Sequence, residues 1–180
     1  MPGAQTVSES RSKARKSAAK STRKSAAKSA GTPDAIKLLK DDHRQVEEWF
    51  EEFENTNSSS KKQKLATNIC LALRVHTMIE EEVFYPACRE AGVELDTMDE
   101  ADVEHDGAKK LIEEIEASAP GEDHYDARVK VLSEMIKHHV KEEEQRGGMF
   151  AQAKEAELDL KELGVELKAR KDELMKQMRQ

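Results

Sequence analysis

Residues 76–86 read HTMIEEEVFYP, and residues 138–144 read HHVKEEE. In each, a histidine stands four places before a glutamate: His76 before Glu80, and His139 before Glu143. On an α-helix, residues i and i+4 lie one turn apart on the same face, so each pair aims an imidazole and a carboxylate at one volume. Apolar residues at Leu65, Ile69, Ala72, Ile79 and Val83 surround the first pair. Val129, Leu132 and Ile136 lead into the second. That spacing is the stripe of a helix facing a core, and both histidines fall on it.

Two more stripes lie outside these. Ile36, Leu39, Val46, Phe50 and Phe53 form one, with His43 as its polar position. Met98, Ala101, Ala108, Ile112 and Ile115 form the other, with His105 in the missing place. The patterns predict helices from about Asp34 to Asn55, Lys61 to Tyr85, Asp96 to Ala117 and Asp123 to Arg146. Pro86 lies near the end of the second, and Gly147 and Gly148 interrupt the fourth. The connections NTNSSS (55–60) and SAPGED (118–123) are short, which favours antiparallel neighbours. The expectation is an all-α, up-down-up-down antiparallel four-helix bundle over residues 34–150.

A single histidine on an apolar stripe is ordinarily a satisfied core residue. Four, one per helix, are costly to bury without a common partner, and a metal offsets that cost. The separations repeat: 33 residues from His43 to His76, and 34 from His105 to His139. DDHRQVEEWFEEFE (41–54) and VEHDGAKKLIEEIE (103–116) are also alike. The chain reads as two helical hairpins related by an approximate two-fold. A two-fold site suits two metals, each held by two histidines and sharing Glu80 and Glu143. Mixed nitrogen and oxygen ligation with bridging acids suits iron or manganese, with zinc possible, and raw affinity does not choose among them.

Together, LKDDHRQVEEWF, HTMIEEEVFYP, EHDGAKKLIEEIE and HHVKEEE resemble the hemerythrin-like, or HHE cation-binding, domain over about residues 34–150. The resemblance implies an up-and-down bundle with a non-haem di-iron centre. It implies His43, His76, His105 and His139 as terminal ligands and Glu80 and Glu143 as bridges. It further implies small ligands at the metal, namely dioxygen, nitric oxide or peroxide. Oxygen-carrying members have a second histidine one turn after the first on the third helix, and here that position is Lys109. Their last carboxylate is an aspartate five places after its histidine; here Glu143 follows after four and Glu144 after five. Reversible oxygen carriage is therefore not the expectation; sensing, peroxide or nitric oxide chemistry, or iron holding, remain.

Neighbouring residues leave alternatives. His138 with Glu142 has the same i, i+4 spacing as His139 with Glu143, but points about 100° away. Glu144 competes with Glu143. Glu47, one turn after His43, is a candidate outer partner or replacement ligand. Glu81, Glu82, Glu142 and Glu144 read as a charged face, His124 as a solvated loop residue, and Tyr85 as packing at a helix end, with lining of the pocket as its alternative. HxxxE, rather than the ExxH of ferritin-like di-iron proteins, is the pattern at the central layer. No nucleophile motif or Gly-rich phosphate loop is visible, so an enzymatic role is uncertain and would rest on the metal.

Net charge is −7 over 180 residues, unevenly placed. Residues 1–33 hold eight basic residues against Glu9, or +7, leaving −14 on the rest. RKSAAKS occurs at 15–21 and again at 23–29, and Val7 is the one large aliphatic residue in 2–30. Such a segment cannot offset its ordering entropy, so a disordered tail is expected. Its basic residues at 11–28 suit non-specific nucleic acid binding through counterion release. No apolar run approaches a membrane span, no secretory signal is visible, and Cys70 and Cys88 are too few for a disulfide framework. A cytoplasmic chain with two reduced thiols follows. Residues 151–180, with Leu160, Leu163, Leu167, Leu174 and Met178 near one face, predict a further helix that Gly164 splits.

Overall fold

The computed structural model describes Gly31 and residues 34–179. The expected tail, apart from Gly31, lies outside them. Every regular element described is helical: α1 Ala35–Glu54, α2 Ser59–Ile79, a π-helical turn Glu80–Phe84, α3 Tyr85–Glu90, α4 Leu95–Glu116, α5 Tyr125–Glu144, α6 Met149–Glu155 and α7 Leu160–Met178. Local chemistry sets the starts. The side chain of Asp34 accepts from the Lys37 N–H, that of Ser58 from Lys61, and that of Asp159 from Lys161 and Glu162. Each satisfies donors that the first turn leaves free.

α1 packs on α2 and α5, and α4 packs on α2 and α5, which closes a ring of four helices. Ile36, Leu39, Val46, Phe50 and Phe53 all face inward, as do Met98, Ala101, Ala108, Ile112 and Ile115. Two apolar clusters result. Val46, Phe50, Leu65, Ile69, Leu73, Ile112, Tyr125, Leu132 and Ile136 belong to one. Ile36, Leu39, Phe84, Tyr85, Met98, Met149 and Phe150 belong to the other. All six predicted ligands, His43, His76, Glu80, His105, His139 and Glu143, are buried among them.

Three expectations are corrected. The second helix does not end at Tyr85: it continues past Pro86 to Glu90 through the π turn. A π turn inserts one residue into the helical phase. Val83, assigned to the stripe, is half-buried, while Phe84, Tyr85 and Cys88 are buried. The fourth helix stops at Glu144, two residues early. There Gly147 takes a φ of +80°, and a Cβ on Gly148 would sit 2.1 Å from the Glu142 carbonyl oxygen. Finally, Gly164 is buried inside α7, and the break comes at 156–159, where Glu157 has a φ of +57°. α7 lies across α1 and α2 with Leu163, Leu167 and Leu174 buried.

Candidate metal centre

His43 comes from α1, His76 from α2, His105 from α4 and His139 from α5, and all four imidazoles are buried. Glu80 opens the π turn one turn after His76, and Glu143 follows His139 near the end of α5. Both carboxylates are 0–1% exposed. The fold therefore brings all six predicted residues into one volume.

Their spacing is that of a shared ion. The Nε2 atoms of His43 and His76 are 3.0 Å apart, and those of His105 and His139 are 3.4 Å apart. Two nitrogens at about 2.1 Å from one ion and at right angles around it would stand about 3 Å apart. Glu80 spans the two pairs: its Oε1 is 3.2 Å from His76 Nε2 and its Oε2 is 3.4 Å from His105 Nε2. Glu143 Oε2 is 3.4 Å from His43 Nε2 and 3.6 Å from His139 Nε2. Both oxygens of Glu80 and Oε2 of Glu143 are buried with no hydrogen-bond partner from the protein. Orphaned carboxylate oxygens in a layer of imidazoles fit a cation. The donor atoms fall into two overlapping groups, His43, His76, Glu80 and Glu143, and then Glu80, His105 and His139.

An outer ring fixes the imidazoles. His43 Nδ1 lies 2.9 Å from Glu144, His105 Nδ1 2.9 Å from Glu81, His139 Nδ1 2.9 Å from Glu104, and His76 Nδ1 3.5 Å from Asp42. A carboxylate only accepts, so at His43, His105 and His139 these contacts place the proton of the neutral ring on Nδ1 and turn Nε2 inward, whereas Nδ1 of His76 has no hydrogen-bond partner. Cations steady the ring from outside. Lys40 and Arg44 hold Glu144, Lys109 holds Glu81, and Lys171 of α7 reaches Asp42. The arrangement repeats with the internal two-fold: one partner follows each glutamate, and one precedes His43 and His105.

The buried carboxylates draw positive charge into the site. Burial would lower His76, but Glu80 and Asp42 outweigh it and push the imidazole up to about 10. Burial likewise opposes His105, which Glu80 and Glu81 raise to about 9. Burial wins at His43, which is lowered. Burial and the charge of Glu80 push Glu143 up to about 7, whereas His76 and His105 overcome burial to hold Glu80 well below the usual carboxylate range. Two carboxylates in one dry volume require compensating charge, from protons on imidazole or from a cation.

The remaining candidates lie elsewhere. Glu47 pairs with Arg44 at 2.6 Å and is not a partner of His43. His138 is exposed and meets Glu104 and Glu142 on the surface. Glu144 holds Nδ1 of His43 rather than entering the centre. His124 is exposed. Asp42, Glu81 and Glu104 were not legible as outer partners, although each adjoins a site residue in sequence. Tyr85 is not packing at a helix end: its hydroxyl reaches Glu143 Oε1 at 3.4 Å and lies 3.5 Å from His105 Nε2.

This fold and donor set define a cation-binding helical domain. The chain belongs to the hemerythrin HHE cation-binding domain family, which matches residues 34–153. A solved hemerythrin HHE cation binding domain-containing protein from Mycobacterium kansasii has a similar fold, with a TM-score of 0.68 at 21% identity. The match covers 81% of this chain and 89% of that one. A curated relative, a DNA nickase of Nostoc sp. (strain PCC 7120), is 34% identical over 107 residues. Those residues are 59% of this chain but 30% of the relative, so the chain spans less than a third of that protein.

Proposed function

We propose that this chain is a non-haem di-iron protein. In an up-and-down bundle, His43 and His76 hold one ion, His105 and His139 hold the other, and Glu80 and Glu143 lie between them. The observation that carries the reading is the pair of inward Nε2–Nε2 approaches beside three orphaned carboxylate oxygens. When bound, such a pair supplies redox chemistry toward dioxygen, nitric oxide or peroxide. The chain's own part is to orient four imidazoles and exclude water. Binding, sensing or detoxifying such a ligand, or holding iron, in the cytoplasm is the role this supports. The test is metal content and absorption of anaerobically purified protein before and after air. Two irons per chain with a near-ultraviolet band appearing in air are expected, and replacing His76 and His139 with Ala should abolish binding. Stoichiometric manganese or zinc would reassign the metal; unchanged binding in the double variant would sink the ligand set.

A second reading concerns residues 11–28. Their charge suits a polyanion, and the Nostoc relative is a DNA nickase. The basic segment then delivers the bundle to nucleic acid. Deleting residues 1–30 should weaken DNA binding at fixed salt; equal binding would remove the segment from consideration. Among the described residues no helix is long and apolar enough to cross a membrane.

A further inference from the structure

α7 begins at Leu160, beyond residues 34–153 that the family matches. It packs on α1, α2 and the π turn, the elements that carry His43, His76 and Glu80. Leu163, Leu167 and Leu174 anchor it from the apolar side. Two cations on successive residues reach past them. Lys171 bonds Asp42 Oδ1, and Arg170 reaches both oxygens of Glu82, at 2.5 and 3.3 Å. Both acids adjoin the centre. Asp42 precedes His43, and its other oxygen lies 3.5 Å from Nδ1 of His76. Glu82 follows Glu80 by two residues in the π turn. Asp42 also lines the enclosed cavity onto which His43, His76, His105 and His139 face. Its side chain is 17% exposed, so this carboxylate extends from the cavity wall to solvent, and Lys171 stands on it there.

We propose that α7 is a clasp on the metal centre, with Lys171 as the positioning residue that holds Asp42. While α7 is docked, Lys171 neutralises the outer oxygen of Asp42 and closes it to an approaching divalent cation. When α7 lifts, Asp42 and Glu82 are uncovered together and place two free carboxylates beside the imidazoles, where an ion enters or leaves. The ion pairs are part-exposed, and each contributes little by itself. Such a helix opens locally while the bundle stays folded, and exchange of the ion follows that opening. The coupling is reciprocal: a bound ion fixes His43, His76 and Glu80, which lie on the elements that α7 docks on, so loading also steadies α7. The inference rests on the metal-binding reading above.

The test uses the full chain loaded anaerobically with ferrous iron, as wild type, Lys171→Arg, and Lys171→Met with Arg170→Met. Iron per chain, helicity, the rate of iron removal by a ferrous chelator, and amide hydrogen exchange are measured on each. All three should hold equal iron. The double variant should release it about 5-fold faster, with exchange of the α7 amides faster by a similar factor and exchange in α4 and α5 unchanged. Lys171→Arg, which keeps the pair with Asp42, should behave as wild type. In the wild type, loading should slow exchange in α7. Faster α7 exchange with unchanged iron release would overturn the clasp and leave the metal reading standing, as would a double variant unchanged in both. Should the double variant lose helicity, the wild type decides alone: α7 amides that exchange equally fast loaded and empty would overturn the coupling. A wild type that takes up no iron would remove the clasp together with the reading it rests on.

Discussion

At the scale of single residues, what distinguishes this site is how its histidines are held. At His43, His105 and His139 a carboxylate at 2.9 Å from Nδ1 turns Nε2 inward, and Asp42 stands 3.5 Å from Nδ1 of His76. Such outer partners orient a ligand and raise its basicity, and losing one weakens metal binding about 10–100-fold. Glu104→Gln, which keeps shape but removes charge, should lower metal affinity by that order in competition with a chromophoric chelator while leaving helicity unchanged. An unaltered affinity would mean that the outer ring does not act on the metal. Neither thiol belongs to the donor groups of the centre, although Glu143 and Glu80 add to the burial that raises Cys88. Burial pushes both Cys70 and Cys88 up to about 12, from an ordinary 9.0. The raised value means that the folded chain favours the protonated thiol. This stability is complete below about pH 9 and is lost as pH rises toward 12. At pH 8 the native thiols should react with a disulfide reagent about a thousandfold more slowly than those of the chain in denaturant, because the thiolate is the nucleophile. Equal rates would contradict the burial.

At the scale of elements, two departures from regular helix build the site. The π turn rotates Tyr85 and Phe84 inward past Pro86. The Gly147–Gly148 turn redirects the chain so that Phe150 of α6 meets His43. α7 then closes over α1 and α2, with Lys171 on Asp42 and Arg170 on Glu82. Burying Leu163, Leu167 and Leu174 contributes about 1.5–3 kcal/mol each. A chain ending at Asp159 should therefore melt about 10–20 °C lower than the full chain, followed by circular dichroism. A shift of a degree or two would show that α7 adds little to the bundle.

Over the whole molecule, the metal and the fold support each other. Six polar groups from four helices share one buried layer, and a cation bound only by the folded state stabilises it by mass action. A cation at about 100 times its dissociation constant contributes about 2.7 kcal/mol, so chelation should lower the melting midpoint by about 5–10 °C. An identical midpoint with and without chelator would show that no ion is held at that layer.

The sequence alone was enough to place His43, His76, His105 and His139 on four inward stripes, because helical periodicity is local and each imbalance of polarity is visible within one helix. It also supplied Glu80 and Glu143, since an i, i+4 spacing fixes a shared face. The phase of the chain after Glu80 was not readable, because a single inserted residue in a π turn leaves no mark on composition. That one-residue shift moved Tyr85 from the edge of the helix to the centre of the site. The outer carboxylates escaped for a different reason: Asp42, Glu81, Glu104 and Glu144 reach across to histidines on other helices, and which surface acid meets which imidazole depends on how the helices pack. Sequence thus determined that these four histidines and two glutamates face inward, a property of each regular helix by itself. Only the tertiary structure decided their partners, because those contacts join groups 24 to 101 residues apart in the chain.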